Sequence, residues 1–364
     1  MNITTWLLVF GSALVLSWLT TRLTIWFYRQ RGWLDDPQTG KRNNITHQTP
    51  VPRGGGLPIF ITVSLLSLVF LTPDKHLIGI LLGALVLTIV GVLDDIFNLS
   101  PYLRLPLLFV AAGIVVAAGI GIPFISNPFQ ANQIIQLNQP QIPIYLFNKL
   151  RTIWLWADLF ALVWIVGCMN FINWSKGLDG QLPGIVVIAA LTIAVLSLRF
   201  SADITQWPVI ILALLVAGAY LGFLPWNFYP QKIMPGYGGG ILGGFFLAVL
   251  SILATAKVGT LTVVLGVPLI DAGWVIFRRL KNKQMPVWGD RGHLHHRLLA
   301  AGWGKRRVAL FYWIITALLG WLALNLNPNQ KFFTIILLTC LIGALIIWLK
   351  HLTFWQKLSD RDSG

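Results

Sequence analysis

Long apolar runs, separated by shorter polar or glycine-rich segments, follow one another along this chain of 364 residues. Each run of about 18 or more apolar residues can cross a bilayer as a helix. The pattern predicts about eleven transmembrane helices. The predicted spans cover residues 4–28, 55–72, 77–97, 103–122, 152–172, 183–200, 205–224, 239–256, 259–277, 308–326 and 332–350.

Composition supports an all-α, polytopic integral membrane protein. Hydrophobic residues make up 56% of the chain and charged residues 11%, with a mean hydropathy of +0.74. A soluble domain carries roughly twice that charged fraction. The first run has no small-residue cleavage site after it, which predicts a retained span. We expect one polytopic domain over residues 1–350 and a short cytoplasmic tail over 351–364. Cys168 and Cys340 fall inside apolar runs, which predicts buried thiols.

The formal charge is +15, and the chain contains no glutamate. Such a balance is typical either of nucleic acid binding or of a membrane protein with one basic face. One set of alternate loops, with the C-terminal tail, holds twenty Lys and Arg residues, whereas the opposite set holds six. The positive-inside rule makes the richer set cytoplasmic. This predicts an N-terminus outside, a cytoplasmic C-terminus, a place in the cell membrane and no nucleic acid partner.

Clusters of acidic, basic, histidine and glycine residues are concentrated in five of the predicted cytoplasmic segments. They read "LDDPQTGKRNNITHQTPVPRGGG", "LDDIFNLSPYLRL", "NWSKGLDGQLPG", "LPWNFYPQKIMPGYGGG" and "RRLKNKQMPVWGDRGHLHHRLL". We therefore expect a polar site on the cytoplasmic face that takes a soluble charged molecule. The longest outer segment, 123–150, is rich in Asn, Gln and Pro, and is either a short strand pair or irregular.

Four acidic residues, at three places in the sequence, are candidates for this site. Asp94 and Asp95 end the third predicted span, where adjacent carboxylates need a cationic partner such as Mg²⁺ carrying substrate phosphates. Asp179 lies between two glycines that allow close approach of a ligand, although a plain turn has the same pattern. Asp271 lies inside the ninth span and either faces the same cavity or forms a helix-packing hydrogen bond.

A histidine cluster, His293, His295 and His296, lies in the most basic segment beside Arg291 and Arg297. Arginine binds phosphate through two parallel hydrogen bonds, and histidine donates or shuttles a proton near neutral pH. The cluster therefore suits a sugar diphosphate. A zinc site lacks an obvious fourth ligand, and a solvated basic loop is the remaining alternative.

Two glycine-rich segments open predicted spans, at 54–56 and 235–240. Helix starts with exposed amides can hold anions, although glycine is common in membrane helices. Arg53 and Arg104 belong to the same cytoplasmic set and complete the candidate substrate-binding residues.

Taken together, these segments resemble the polyprenyl-phosphate N-acetylhexosamine-1-phosphate transferases (glycosyltransferase family 4) over nearly the whole chain. "VGVLDDIFNLSPYLRL" is similar to the Asp-Asp loop of that family, and "MNFINWSKGLDG" to its NxxDGxDG loop. "VPLIDAGWVIFRRL" followed by "GDRGHLHHRLL" is similar to its PxxDxxxxxxRR and HxHHRL segment. "LPWNFYPQKIMPGYGGGILGG" is similar to its FNxxPAxxFMGDxGSxxLG loop.

The resemblance implies a reaction and a set of partners. Family members transfer a phospho-sugar from a UDP-sugar to a polyprenyl phosphate in the membrane, release UMP and use Mg²⁺. The "HLHHRLL" segment is closer to enzymes of the GlcNAc type than to those of the pentapeptide type. Homodimers occur in the family, although nothing in this sequence indicates one.

Carried over by position, the resemblance implies roles for individual residues. Asp94 and Asp95 would bind or deprotonate the lipid phosphate. Asn173 and Asp179 would line the nucleotide and metal site, so that Asp94, Asp95 and Asp179 become the expected metal ligands. The three histidines would contact the sugar-nucleotide.

Two departures from the family pattern both remove acids. Lys176 replaces the first Asp of NxxDGxDG, and Gly236 replaces the Mg²⁺-binding Asp of MGDxGS, with Tyr237 and Gly239 at its neighbours. In one hypothesis the Lys176 ammonium does part of the work of the metal. Its attraction to a phosphate about 4 Å away is roughly 4 kcal/mol at an effective dielectric near 20. In the other, the protein binds lipid or nucleotide-sugar without catalysis.

A transporter or flippase is a third class. It would show a polar path at the bilayer midplane and internal repeats. The sequence shows neither, since its acids lie mainly towards the cytoplasmic side.

Overall fold

The computed structural model describes residues 3–39, 49–130, 133–146, 149–254, 258–285 and 292–362. This part of the chain is mainly helical, as expected where apolar surroundings force every backbone N–H and C=O to bond internally. The helices are α1 (Ile3–Gln30), α2 (Gly56–Phe70), α3 (Lys75–Phe97), α4 (Pro101–Ala117), α5 (Leu155–Trp174), α6 (Gln181–Leu198), α7 (Gln206–Asn227), α8 (Gly236–Leu253), α9 (Val258–Val264), α10 (Gly266–Lys281), α11 (Leu294–Ala300), α12 (Lys305–Asn325) and α13 (Pro328–Asp362).

Eight of the described helices are long and apolar enough to cross a membrane, which confirms a polytopic membrane protein. They are α1, α3, α5, α6, α7, α8, α12 and α13 up to Leu349. The segments predicted as spans 55–72 and 103–122 form the shorter helices α2 and α4, of 15 and 17 residues. The backbone of α13 continues through most of the predicted tail, to Asp362.

The predicted span over 259–277 is broken near its middle. This segment forms two helices, α9 and α10, which meet at an angle of 81°. Pro268 lies in the first turn of α10 and has no N–H to bond the carbonyl of Val264, so the helical ladder breaks there. The bend directs α10 and the histidine segment away from the axis of α9.

Short strands occupy much of the long segment predicted to lie outside, residues 123–150, and extend to residue 154. β3 (Phe124–Ser126) pairs with β4 (Ile134–Gln136), and β5 (Gln141–Leu146) with β6 (Lys149–Trp154), both antiparallel. Because β6 extends to Trp154, α5 begins three residues after the approximate start of the span predicted over 152–172. A further antiparallel pair is formed by β1 (Leu34–Asp35) and β2 (Val51–Pro52).

The centre of the bundle is α8, whose residues are almost all buried. Three glycines let its neighbours approach closely: a Cβ on Gly56 or Gly91 would lie 2.7–2.8 Å from backbone atoms of Gly238. Small residues allow such backbone contact between membrane helices. The glycine-rich segments therefore bring α2, α3 and α8 together.

Only one of the two cysteines is buried as predicted. Cys168 is buried and Cys340 is exposed on α13, both as free thiols. The expectation of a buried thiol is thus wrong for Cys340, which lies on an outward-facing apolar surface of the helix.

Local caps place the paired acids beside the first turn of α4. Asn98 ends α3 in the left-handed region with φ 54°, and the Ser100 hydroxyl accepts a hydrogen bond from the N–H of Leu103 at 3.3 Å. This tight connection turns the chain directly from α3 into α4. As a result, the end of α3 faces the first turn of α4, which carries Arg104.

Candidate functional site

Asp95 lies against the beginning of α8. Its Oδ1 accepts a hydrogen bond from the N–H of Tyr237 at 2.8 Å and contacts Arg53 Nε at 3.4 Å. The side chain is only 2% exposed. A carboxylate at a helix N-terminus is favoured by the amides and the helix dipole. The anion at the glycine-rich start of α8 is therefore Asp95 itself in this structure.

Asp94 and Asp95 have different cationic partners. Arg104 Nη1 lies 3.2 Å from Asp94 Oδ1, while Arg53 bridges Asp95 and Asp35, with 3.1 Å between its Nη1 and Asp35 Oδ2. The expectation that adjacent acids need cations is met here by arginines. Asp35 was not predicted as a site residue. Its place in the first of the five candidate segments was the only signal in the sequence.

Lys176 reaches the same place from the loop after α5. Its Nζ donates to the carbonyl of Gly236 at 2.9 Å and lies 5.4 Å from the centre of the Tyr237 ring. Burial and the Arg53 guanidinium lower the pKa of Lys176 to about 7, against the opposing effect of the Asp95 and Asp94 carboxylates. Lys176 is therefore part of the same electrostatic cluster as the paired acids.

Asn227 joins two of the five candidate segments and was missed by sequence reasoning. Its Oδ1 accepts from the N–H of Gly180 at 3.0 Å, and its Nδ2 donates to the carbonyl of Ile233 at 2.9 Å. It is fully buried, so both contacts replace hydrogen bonds to water. Its position in the last turn of α7, within an otherwise aromatic and proline-rich sequence, was a usable signal.

Asp179 and Asn173 lie near the loop but make different contacts. Asp179 Oδ2 accepts from the N–H of Gln231 at 3.4 Å, and its Oδ1 is 3.7 Å from Lys305 Nζ. Asn173 is buried with its Oδ1 against Gly240 of α8, and that oxygen has no hydrogen-bond partner among the described residues. Asp179 thus fixes the loop to its surroundings, and Asn173 lies at the contact between α5 and α8.

The histidine segment is anchored by Asp271. His293 Nδ1 lies 2.9 Å from Asp271 Oδ2, and the N–H of Leu294 donates to Asp271 Oδ1 at 2.8 Å. Both side chains are buried, so this pair fixes the start of α11. Asp271 was predicted either to face the cavity or to form a helix-packing hydrogen bond. It forms packing hydrogen bonds, and these hold the histidine segment in place.

His295 connects this segment to the Lys176 loop. Its ring packs so closely on Gly177 that a Cβ there would lie 2.7 Å from His295 Cδ2. It stacks on His293 with ring centres 5.6 Å apart and lies 4.3 Å from the ring of His296. Burial, with the two neighbouring histidines, lowers the pKa of His295 well below its usual value. His295 is therefore a neutral hydrogen-bonding group at pH 7.

The arginines of this segment are only partly described. Arg297 Nε donates to the carbonyl of Gly292 at 3.0 Å, which folds the side chain back along the segment. Arg291, the other predicted phosphate ligand, lies outside the described residues.

The donor set does not suit a divalent metal. Across the described ranges, no three His, Cys, Asp or Glu side chains form a group that could hold a metal ion. The expected ligands Asp94 and Asp95 each contact an arginine, and Asp179 contacts Lys305. Mg²⁺ requires oxygen ligands converging on one point. The expected magnesium ligands therefore do not form a metal site in this arrangement, and neither do the histidines form a zinc site.

Known proteins similar to this chain come from one group. A family model described as glycosyl transferase family 4 matches residues 77–255, a range that includes the paired acids and the Lys176 loop. A probable undecaprenyl-phosphate N-acetylglucosaminyl 1-phosphate transferase of Bacillus subtilis is 33% identical over 292 residues, which are 78% of this chain and 74% of that protein.

Two further relatives extend the similarity. The decaprenyl-phosphate N-acetylglucosaminephosphotransferase of Mycobacterium leprae is 28% identical over 341 residues, covering 84% of this chain and 80% of that protein. The undecaprenyl-phosphate alpha-N-acetylglucosaminyl 1-phosphate transferase of Thermotoga maritima is 28% identical over 335 residues, covering 92% and 94%. The similarity thus extends over most of the length of each protein.

Proposed function

This chain belongs to glycosyl transferase family 4, and on that premise we propose that it transfers a phospho-N-acetylhexosamine of the GlcNAc type from a UDP-sugar to a polyprenyl phosphate such as undecaprenyl phosphate. UMP is released, and the product is a lipid-diphosphate-sugar for cell-envelope polysaccharide synthesis. The observation that carries the proposal is the contact of three segments at one place: the paired acids, the Lys176 loop and the histidine helix α11.

In the proposed step, an oxygen of the polyprenyl phosphate attacks the sugar-linked phosphorus of the UDP-sugar. A new P–O bond forms, the bond from that phosphorus to the bridging oxygen breaks, and the bridging oxygen leaves on UMP with the electron pair. Positioning and charge stabilisation account for most of the catalysis in phosphoryl transfer. The protein therefore has to hold two phosphate-bearing reactants in line.

The acids and arginines suit the lipid phosphate. Asp95 or Asp94 takes the proton of a lipid phosphate monoanion, so that the dianion attacks. Arg53 and Arg104, which pair with these carboxylates, supply planar donors for phosphate oxygens. Lys176 approaches the diphosphate from the opposite segment.

The histidine helix suits the sugar-nucleotide. His293, His295 and His296 offer ring nitrogens at the surface between α11 and the Lys176 loop, and Arg297 adds a cation. Asp179 fixes that loop to its surroundings, and Asn173 lies at the contact between α5 and α8. The resemblance also implies Mg²⁺, but the described donors do not suit it, so no step is assigned to a metal.

Asp271→Ala is expected to raise the KM for the UDP-sugar about tenfold with a smaller change in kcat. The change removes the acceptor for both His293 and the N–H of Leu294, which loosens the start of α11. Steady-state UMP release over a range of UDP-sugar concentrations measures both KM and kcat. Asp271→Asn keeps an acceptor oxygen for the N–H of Leu294. Its KM for the UDP-sugar is expected to lie between those of Asp271→Ala and the parent protein. An unchanged KM in both variants would contradict the anchoring role.

The proposed location is the plasma membrane, with the site on the cytoplasmic side and residues 1–350 acting as one transferase unit. Basic residues concentrated in the segments around the site support this orientation. The lipid then enters from the bilayer and the UDP-sugar from the cytosol.

Cysteine labelling tests this orientation. In a chain with Cys168 and Cys340 replaced by serine, we introduce cysteine at the exposed residue Ala202 or at the exposed residue Gln284. An impermeant maleimide added to intact cells is expected to label Ala202→Cys, and to label Gln284→Cys only after permeabilisation. Labelling in the reverse order would place the site outside the cytoplasm.

Mass spectrometry of the lipid product tests the activity. Purified protein is incubated with undecaprenyl phosphate and a panel of UDP-N-acetylhexosamines, and both lipid and UMP are quantified. We expect equal amounts of UMP and lipid-diphosphate-GlcNAc. A non-catalytic binding role predicts retention of a reactant with no UMP from any UDP-sugar.

A further inference from the structure

The two positions that depart most from the family pattern touch each other. Lys176 and Gly236 are sixty residues apart in sequence, yet Lys176 Nζ donates to the carbonyl of Gly236 at 2.9 Å. Tyr237, the next residue, contacts the same ammonium with its ring at 5.4 Å. The changes therefore form one connected feature instead of two separate losses.

The Asp95 carboxyl group occupies the space that a side chain at position 236 would take. Its φ of +68° disfavours any side chain, and a Cβ there would lie 2.8 Å from the carboxyl carbon of Asp95. Without that side chain, Asp95 reaches the N–H of Tyr237 at 2.8 Å. An acidic side chain at position 236 and Asp95 in its present place exclude each other sterically.

Tyr237 places two cations around the paired acids. The guanidinium carbon of Arg104 lies 4.9 Å from the centre of its ring, and Lys176 Nζ lies 5.4 Å from it. Aromatic rings attract cations at such distances. Tyr237 is thus a positioning residue that holds Arg104 and Lys176 beside Asp94 and Asp95.

The Lys176 ammonium has capacity to bind an anion. It has three N–H donors, and the Gly236 carbonyl is its only hydrogen-bond acceptor among the described residues. Its environment suits an anion better than a second cation, because Arg53 and Arg104 belong to the same cluster. A bound diphosphate favours the charged form of the amine.

We propose that Lys176, held by Gly236 and Tyr237, supplies the positive charge that the resemblance assigns to a divalent metal, so that this chain transfers phospho-sugar without one. The inference rests on the proposed function. In the transfer, the bridging oxygen gains negative charge as its bond to the sugar-linked phosphorus breaks. The ammonium stabilises the diphosphate oxygens during that step and transfers no proton of its own.

Metal removal tests the proposal directly. Purified full-length protein is dialysed against EDTA and then assayed for UMP release from UDP-N-acetylglucosamine and undecaprenyl phosphate. We expect a kcat in EDTA within about twofold of that in excess MgCl₂. Activity that EDTA abolishes and MgCl₂ restores would overturn the proposal while leaving the proposed function intact. If no UMP is released in either buffer, both are overturned.

Lysine variants test the role of the ammonium. Lys176→Met is expected to lower kcat about 10²-fold, with a smaller change in KM, in EDTA and in MgCl₂ alike. Lys176→Arg keeps the charge and is expected to retain more activity than Lys176→Met. Lys232→Met is the matched control, because Lys232 also lies over an aromatic ring, that of Trp226 at 5.4 Å, but outside this cluster.

Two outcomes with these variants would overturn the proposal. One is full activity of Lys176→Met in EDTA. The other is a loss that MgCl₂ fully rescues, since a metal would then be the working cation. Thermal unfolding of each purified variant and its retention of UDP-N-acetylglucosamine separate a folding defect from a catalytic one.

Discussion

Asp95→Asn is expected to lower the rate of transfer by at least about 10³-fold while the protein remains folded. The substitution removes the negative charge that pairs with Arg53 and that accepts a proton from the lipid phosphate in the proposed step. It keeps an oxygen that can still accept from the N–H of Tyr237, so the contact between α3 and α8 is preserved. UMP release by the purified variant measures the effect, and size-exclusion chromatography in detergent reports the fold.

Asp203→Asn is the matched control for this substitution. Asp203 is an exposed carboxylate in the connection between α6 and α7, where it accepts from the N–H and hydroxyl of Thr205. Its replacement is expected to leave transfer unchanged. Full activity of Asp95→Asn would remove that residue from the mechanism and would leave Asp94 as the only candidate base of the pair.

Gly236→Ala is expected to reduce transfer to the level of Asp95→Asn, again about 10³-fold. The new methyl group would occupy space now taken by the Asp95 carboxylate, and the backbone would have to hold alanine at a φ of +68°. Left-handed conformation alone costs a non-glycine residue roughly 1–2 kcal/mol. We therefore expect a lower midpoint of thermal unfolding together with the loss of activity.

Gly113→Ala is the matched control for this change. Gly113 is a helical glycine of α4, and the position that its Cβ would take has no neighbouring atom within 4 Å among the described residues. Its replacement is expected to leave both activity and thermal stability close to those of the parent. Gly236→Ala with normal transfer would show that Asp95 does not need its present position.

Sequence reasoning selected its candidate segments because each carries residues that are costly in apolar surroundings. Asp94, Asp95 and Asp271 are acids near or within predicted spans, and the structure gives each a polar partner. The histidine segment was likewise recognised by its composition. What the sequence did not contain was the pairing, since the contact of Asp271 with His293 depends on the bend between α9 and α10.

The bend itself illustrates a limit of reading apolar runs. Hydropathy over 259–277 is continuous, so a span was predicted there with no break in it. The signal was local: Gly266 and Pro268 interrupt the hydrogen-bond ladder in a run that is otherwise apolar. Hydropathy averaged over a window does not register such a break.

The glycine-rich segments show a second limit. They were considered as helix starts that can hold anions, and the Asp95 carboxylate does lie at the start of α8. Gly56 and Gly238 of these segments also bring three helices together, with Gly91 of α3. Close packing and ligand approach both require the absence of a side chain, so sequence alone does not separate them. Only the positions of neighbouring backbones show which requirement applies at each glycine.

A structure of the full-length protein in lipid nanodiscs, determined by electron cryomicroscopy with UDP-N-acetylglucosamine in EDTA, tests the central claim most directly. The claim is that the paired acids, the Lys176 loop and the histidine helix form one pocket for both phosphate-bearing reactants. The account predicts diphosphate density within hydrogen-bonding distance of Lys176 Nζ, with the sugar-nucleotide against α11. Nucleotide density elsewhere, or none near Lys176 and the histidines, would contradict it.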